Sequence, residues 1–183
     1  MKLRTLHRNN NPIKTTATMK KFLLSFVLFI SAIALSAQDF EVPKEYTLKE
    51  ASDYEQYEDD IIKCVDWLIA TPLNIQTAKR KDAYAFLVVW VSGSPKVSIV
   101  LSEKIVTFSK NGDLLAMFLG GWTKYSIETE KYDDIFNNNL AGVMCAITFY
   151  EKNKEFTGKI KAADKYLKLK AQGKLEEYIK DNI

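Results

Sequence analysis

Apolar residues return at helical intervals along most of this chain. Tyr54, Tyr57, Ile61, Cys64, Val65, Leu68 and Ile69 recur every three or four positions, which places their side chains on one face of a helix. The run ends at Thr71-Pro72, because proline disfavours the helical conformation in the residue before it. Two segments that fit a capping box precede it, Thr47-Leu48-Lys49-Glu50 and Ser52-Asp53-Tyr54-Glu55, in which a hydroxyl and a carboxylate satisfy the free backbone donors of a helix start. A second helix is predicted from about Ile75 to Val91. Its first turns are polar (Gln76, Lys79, Arg80, Lys81), whereas Ala83 to Val91 is apolar nearly all round and is expected to be buried. Ser92-Gly93-Ser94-Pro95 stops it.

Residues 96–110 read two ways. Val97, Ile99 and Leu101 alternate with polar neighbours and β-branched residues are dense, so the segment fits a short strand or a short helix. Asn111-Gly112 is a turn signal, and a hairpin from Ile105 to Leu115 is compatible with it. Against that, Leu114, Leu115, Phe118, Leu119, Trp122 and Tyr125 lie at helical spacing and predict a helix over 113–127 with Asp113 at its start. Further helices are predicted over about 131–152, 156–172 and 175–179, with Gly173 where a left-handed helix terminus is wanted. The fold class that follows is mainly α: five or six helices in an irregular bundle or a short helix-pair array. The motif Phe86-Leu87 with Trp90 returns 32 residues later as Phe118-Leu119 with Trp122, close to the period of helix-pair repeats. With no third copy, shared core packing is the simpler reading.

The beginning of the chain has a different pattern. Met19-Lys20-Lys21 precedes fourteen apolar and small residues, Phe22 to Leu35, and then Ser36-Ala37-Gln38, the charged region, hydrophobic region and small-residue cleavage site of a secretory signal. The run is shorter than the about 20 apolar residues needed to cross a bilayer, and no Cys follows it to accept a lipid. Residues 1–18 are polar and basic without apolar periodicity, an unstructured extension that makes Met19 a candidate start. The expected organisation is therefore 1–18 extension, 19–37 signal peptide, 38–46 flexible segment and 47–183 a single helical domain, exported to the periplasm or beyond and not stably inserted in a membrane. Loss of residues 1–37 takes six Lys and Arg and no acid, so the formal charge falls from +3 to −3. The basic balance of the whole chain is thus no argument for nucleic-acid binding.

Several chemistries are disfavoured. The only histidine, His7, lies ahead of the signal, so Ser-His-Asp and Cys-His catalysis and the usual catalytic zinc sites lack their imidazole. Two cysteines are too few for a Cys-rich metal site, and neither G-x-G-x-x-G nor G-x-x-x-x-G-K-[ST] occurs. No cofactor, metal or catalytic residue is assigned. Carboxylate chemistry remains open on the clusters Glu55, Glu58, Asp59, Asp60 and Glu128, Glu130, Asp133, Asp134, although acids beside helix starts are explained more simply by the macrodipole. Cys64 and Cys145 are candidate disulfide partners, closing a loop of about 80 residues for roughly 4 kcal/mol; two buried free thiols are the alternative. Lys159, Lys161, Lys165, Lys168, Lys170 and Lys174 make the C-terminal helix basic, which suits an acidic partner, an anionic surface or a solvated face. Trp90, Trp122 and Tyr125, with the adjacent pair Gly120-Gly121, mark a candidate interaction or packing surface, since glycine inside an apolar helix lets another backbone or a ligand come close.

The stretch Phe86-Leu87-Val88-Val89-Trp90-Val91-Ser92-Gly93-Ser94-Pro95, then Asp113-Leu114-Leu115, then Gly121-Trp122-Thr123-Lys124-Tyr125 with Glu128, resembles a family of uncharacterised exported helical proteins of flavobacterial type. The resemblance spans most of the chain after the signal. It implies export and a helical fold, and carries no activity. The functional expectation is a non-enzymatic module that binds a protein or peptide partner. A helical carrier of a small molecule or lipid is the alternative, with a carboxylate-dependent hydrolase behind it.

Overall fold

The computed structural model describes residues 40–183; the extension and signal segments expected over 1–37 lie outside them. The described residues, 40–183, belong to one compact unit. Seven helices follow in order: α1 Ala51–Glu55, α2 Glu58–Ala70, α3 Thr77–Gly93, α4 Gly112–Thr129, α5 Ile135–Thr157, α6 Lys161–Ala171 and α7 Leu175–Lys180. There is no strand among the described residues. The arrangement is an irregular bundle. The α4–α5 pair forms its centre, α2 and α3 pack on one side of it, and α6 and α7 lie against α5. None of these helices is long and apolar enough to cross a membrane.

The count exceeds five or six because the first predicted helix is two. Tyr57 leaves the helical region (φ −104°, ψ 4°), separating α1 from α2. The cap of α1 differs too: neither Thr47 nor Ser52 serves, and the Asp53 carboxylate accepts from the backbone N–H of Lys49 (2.9 Å) and Glu50 (3.0 Å). Glu58, Asp59 and Asp60 occupy the first turn of α2, where carboxylates face the positive end of the macrodipole. Ile61, Cys64, Val65 and Leu68 form its buried stripe, and Thr71 turns extended ahead of Pro72. The carbonyls left free there meet an arginine. Arg80, 4% exposed, donates to Leu68 O, Thr71 O and Pro72 O and lies over the rings of Trp67, Tyr84 and Phe149.

The expectation that the apolar half of α3 is buried holds on one side only. Ala83, Phe86, Leu87 and Trp90 face the core, whereas Val88 and Val89 are 40% and 48% exposed. The physical reason is position: α2 and α4 pack against α3, and no described element covers its far face.

Residues 94–111 are neither strand nor helix but irregular chain with turns. The alternating apolar residues act as separate anchors, with Val97, Ile105, Val106 and Phe108 buried while Val100 and Leu101 stay exposed. The backbone of this loop is held by the C-terminal helices: Tyr166 donates to Ile105 O (2.5 Å), Tyr178 to Lys104 O (3.2 Å), and Ser102 to Asn182 O (3.3 Å). No hairpin forms at Asn111-Gly112, because the Asn111 side chain accepts from Leu114 N (2.9 Å) and caps α4.

α5 is broken at Asn153 (φ −113°, ψ 15°). That buried amide accepts from Leu73 N (2.7 Å), tying the α2–α3 connection to α5, and donates to Phe149 O (2.9 Å). Gly173, at φ 66°, ends the α6 segment in the left-handed conformation expected of it. The segment 38–46, expected to be flexible, is anchored from Phe40 onward. Phe40 is buried near Trp67, Tyr46 packs on Phe86 at 5.0 Å between ring centroids, and Glu41 pairs with Lys79 at 3.0 Å.

Candidate functional site

Gly120 and Gly121 face different neighbours of α4. A Cβ on Gly120 would meet Val65 of α2 at 3.0 Å and Leu87 of α3 at 3.3 Å. On Gly121 it would collide with the Cβ of Cys145, the carbonyl oxygen of Ala141 (2.6 Å) and the Cα of Gly142 (3.1 Å). A Cβ on Gly142 would in turn strike the Phe118 ring at 2.7 Å. The glycine pair therefore serves close packing of α4 against its neighbours.

Trp90 and Trp122 belong to the core as well, both fully buried. Trp90 donates its indole N–H to Tyr54 O at 3.1 Å, while that of Trp122 has no partner among the described residues. Much of the aromatic interior is filled by its own rings: Phe108 packs on Phe118 and Tyr166, and Phe118 on Trp122, at centroid distances of 6.0–6.2 Å.

Only Tyr125 of the five marked residues reaches a surface feature with part of its side chain free. It borders an open cleft of about 250 Å³ where α2, α4 and α5 meet. Val65 and Ile69 come from α2, Gly121, Lys124, Tyr125 and Glu128 from α4, and Ala141 and Cys145 from α5. Gly121 borders the hollow where α4 closes on α5, and Cys145 lines it from α5. On the rim, Lys124 pairs with Asp66 of α2 and with Glu128 at 3.6 Å. Lys124 and Glu128 are legible in sequence as an i, i+4 pair. Asp66, Val65, Ile69 and Ala141 carry no local signal, because only the meeting of three helices brings them together.

Of the two readings of Cys64 and Cys145, the structure shows the free thiols: both are unbonded and buried. The Cys64 sulfur donates to Ala83 O of α3 at 3.5 Å, while Cys145 packs its Cβ against Gly121 of α4, so the two cysteines lie against different helices. Burial pushes both thiols up to about 12; Asp60 adds to the effect at Cys64, and nearby Lys124 works against it at Cys145. A thiol held protonated in this way is a poor nucleophile.

The acidic clusters are largely engaged in structure. Glu55 and Glu58 hold Lys96 at 3.0 and 3.2 Å, which raises the Lys96 ammonium above the usual lysine range. Asp60 pairs with Lys63, Glu128 with Lys124, and Asp134 caps α5 by accepting from Asn137 N at 3.1 Å. Among the described residues no three of His, Cys, Asp and Glu are grouped so as to hold a metal ion. The six C-terminal lysines are all exposed; Lys165 also donates to the Tyr178 hydroxyl at 2.8 Å.

A larger hollow, about 530 Å³, lies beside α7 between Phe136, Glu176, Glu177, Lys180 and Ile183. Compared with family models, curated proteins and solved structures, the chain matches none.

Proposed function

We propose that this is an exported, non-enzymatic interaction protein that seats an apolar side chain of a protein or peptide partner in the cleft between α2, α4 and α5. The observation that carries the reading is the cleft itself, open to solvent, floored by Val65, Ile69, Ala141 and Cys145 and walled by Tyr125. At about 250 Å³ it falls below the roughly 300–1,000 Å³ of small-molecule sites and suits a single inserted side chain. Its rim favours recognition over catalysis. Asp66 and Glu128 both engage Lys124, so the two carboxylates do not face each other across a gap as glycoside hydrolysis requires. Export rests on the Met19 to Gln38 pattern.

The test is a photo-crosslinking residue at position 125 in the producing cell, with the same residue at exposed Lys110 as control. One discrete adduct at position 125, lost with Ile69→Glu, is the expected result. Identical adducts at both positions would remove the cleft from consideration.

The 530 Å³ hollow beside α7 favours a second reading, a small-molecule carrier. Native mass spectrometry of the exported protein separates the two, because a carrier retains a low-mass ligand that Phe136→Glu releases.

A further inference from the structure

Charge is spread unevenly around the cleft between α2, α4 and α5. Lys124 is shared by two acids, Asp66 of α2 and Glu128, the latter at 3.6 Å. The lysine side chain is 24% exposed, whereas those of Asp66 and Glu128 are 42% and 46% exposed. The cation is thus the most covered of the three, and the carboxylates present more negative charge to solvent than it balances. Beyond Glu128 the chain stays acidic: Glu130 and Asp133 are exposed and in no ion pair among the described residues, against one exposed cation, Lys131. At the Ile69 end the sign changes, because Lys152 donates to Ile69 O there at 3.5 Å. No lysine of α6 lines the cleft.

Resting on the reading of this cleft as the seat of an apolar side chain, we infer that the partner segment is basic: beside the residue that enters the cleft it carries Lys or Arg, which lies against Asp66 and Glu128. The two parts of the site then do different work. Apolar contact with Val65, Ile69, Ala141 and Cys145 supplies the attraction, being surface removed from water. The carboxylates choose between partners, since charge at the rim of an interface sets encounter rate and specificity more than affinity. An acidic segment meets Asp66 and Glu128 with charges of the same sign, and that mismatch rejects it. The formal charge of −3 on the chain from Gln38 onward acts in the same sense at longer range.

Short acetylated and amidated peptides test the inference, each with one central Leu flanked by Arg and Lys, by Gln and Asn, or by Glu and Asp. They are titrated to millimolar concentration into isotope-labelled protein purified after export, with binding read from amide resonances. The basic probe is expected to shift the amides of Val65, Gly121 and Cys145 and to bind roughly tenfold more tightly than the acidic probe, with the neutral one between them. Asp66→Asn and Glu128→Gln should each weaken the basic probe about two- to fivefold, the range of an exposed ion pair, and the double variant should remove the order. Salt at about 1 M, where charges are screened beyond ~3 Å, should bring the three probes together. Ala141→Met fills the hollow without altering charge and should release all three. Both acidic side chains reach solvent, and unchanged far-ultraviolet dichroism verifies that the variants fold. Equal binding of all three probes at those amides would overturn the inference and leave the cleft as a docking site, and so would a basic preference that the double variant leaves intact. No shift at those amides with any probe would overturn the reading of the cleft and this inference together.

Discussion

Gly121→Ala should destabilise this protein although alanine is the better helix former. The added methyl has no free volume to enter: it meets the Cβ of Cys145, Ala141 O at 2.6 Å and Gly142 Cα at 3.1 Å. Two of these atoms are backbone and the third is fixed to it, so relief requires α5 to move away from α4 along the pairing that centres the domain. Overpacking of a core costs about 1–3 kcal/mol, and contact with backbone places this site at the upper end. Alanine returns about 1 kcal/mol of helix propensity, which leaves a net loss of about 2 kcal/mol. For a domain of this size that is a drop of roughly 6–8 °C in Tm, read by calorimetry or thermal dichroism.

Three controls sharpen the test. Gly120→Ala meets only the ends of Val65 and Leu87 side chains and should cost less. Gly112→Ala has nothing within 4 Å of the new methyl and should be neutral or stabilising by up to about 1 kcal/mol. Cys145→Ala keeps the offending Cβ and should not rescue Gly121→Ala. A Gly121→Ala protein as stable as the wild type would refute the close approach of the two helices.

Four other outcomes follow from the same contacts. Asn153→Leu leaves Leu73 N without its acceptor and should cost about 1–3 kcal/mol, the penalty of an orphaned buried donor, measured by urea unfolding. Tyr166→Phe releases Ile105 O and should speed amide exchange within residues 102–108 more than in α4, read by hydrogen exchange with mass spectrometry. Asp53, Asp134 and Asp164 are all held below the usual carboxylate range, by the Glu50 N–H, the Asn137 side chain and the Lys154 ammonium respectively. The folded state therefore binds fewer protons than the unfolded chain near pH 4 and below, so stability present above the unfolded value of 3.8 should fall as pH drops toward 2; a urea midpoint flat from pH 5 to 2 would contradict it. Both thiols should resist alkylation at pH 8 in the native protein and react fully in guanidinium, with no gel shift on reduction; recovery of cystine would contradict the assigned neighbours.

Helix identity was legible in the sequence because it depends on near neighbours. The stripe from Ile61 to Leu68, the stop at Pro72, the turn before Pro95 and the left-handed Gly173 are all set within a few residues. What failed were inferences that needed to know what lies across a gap. Apolar composition could not show that one side of α3 has no neighbour, so Val88 and Val89 were expected inside. Alternation over Val97, Ile99 and Leu101 fits a short strand as well as a short helix, yet a strand requires a partner edge, and tyrosines from α6 and α7 take the loop's carbonyls instead.

The candidate surface divided in the same way. Periodicity marked Trp90, Gly120, Gly121, Trp122 and Tyr125 as unusual, and four of them are packing. The cleft beside Tyr125 also needs Asp66, Val65, Ile69 and Ala141, which lie on other helices. By itself the sequence determined that most of the chain after the signal pattern is helical, that Pro72, Pro95 and Gly173 punctuate it, and that this region has no imidazole, because composition and i, i+4 spacing are local properties of a chain, whereas the break at Tyr57 and the bounds of α5 and α6 were not legible. Only the tertiary structure decided which faces meet, which thiols point apart and where a concave surface remains, because those depend on distances between residues far apart along the chain.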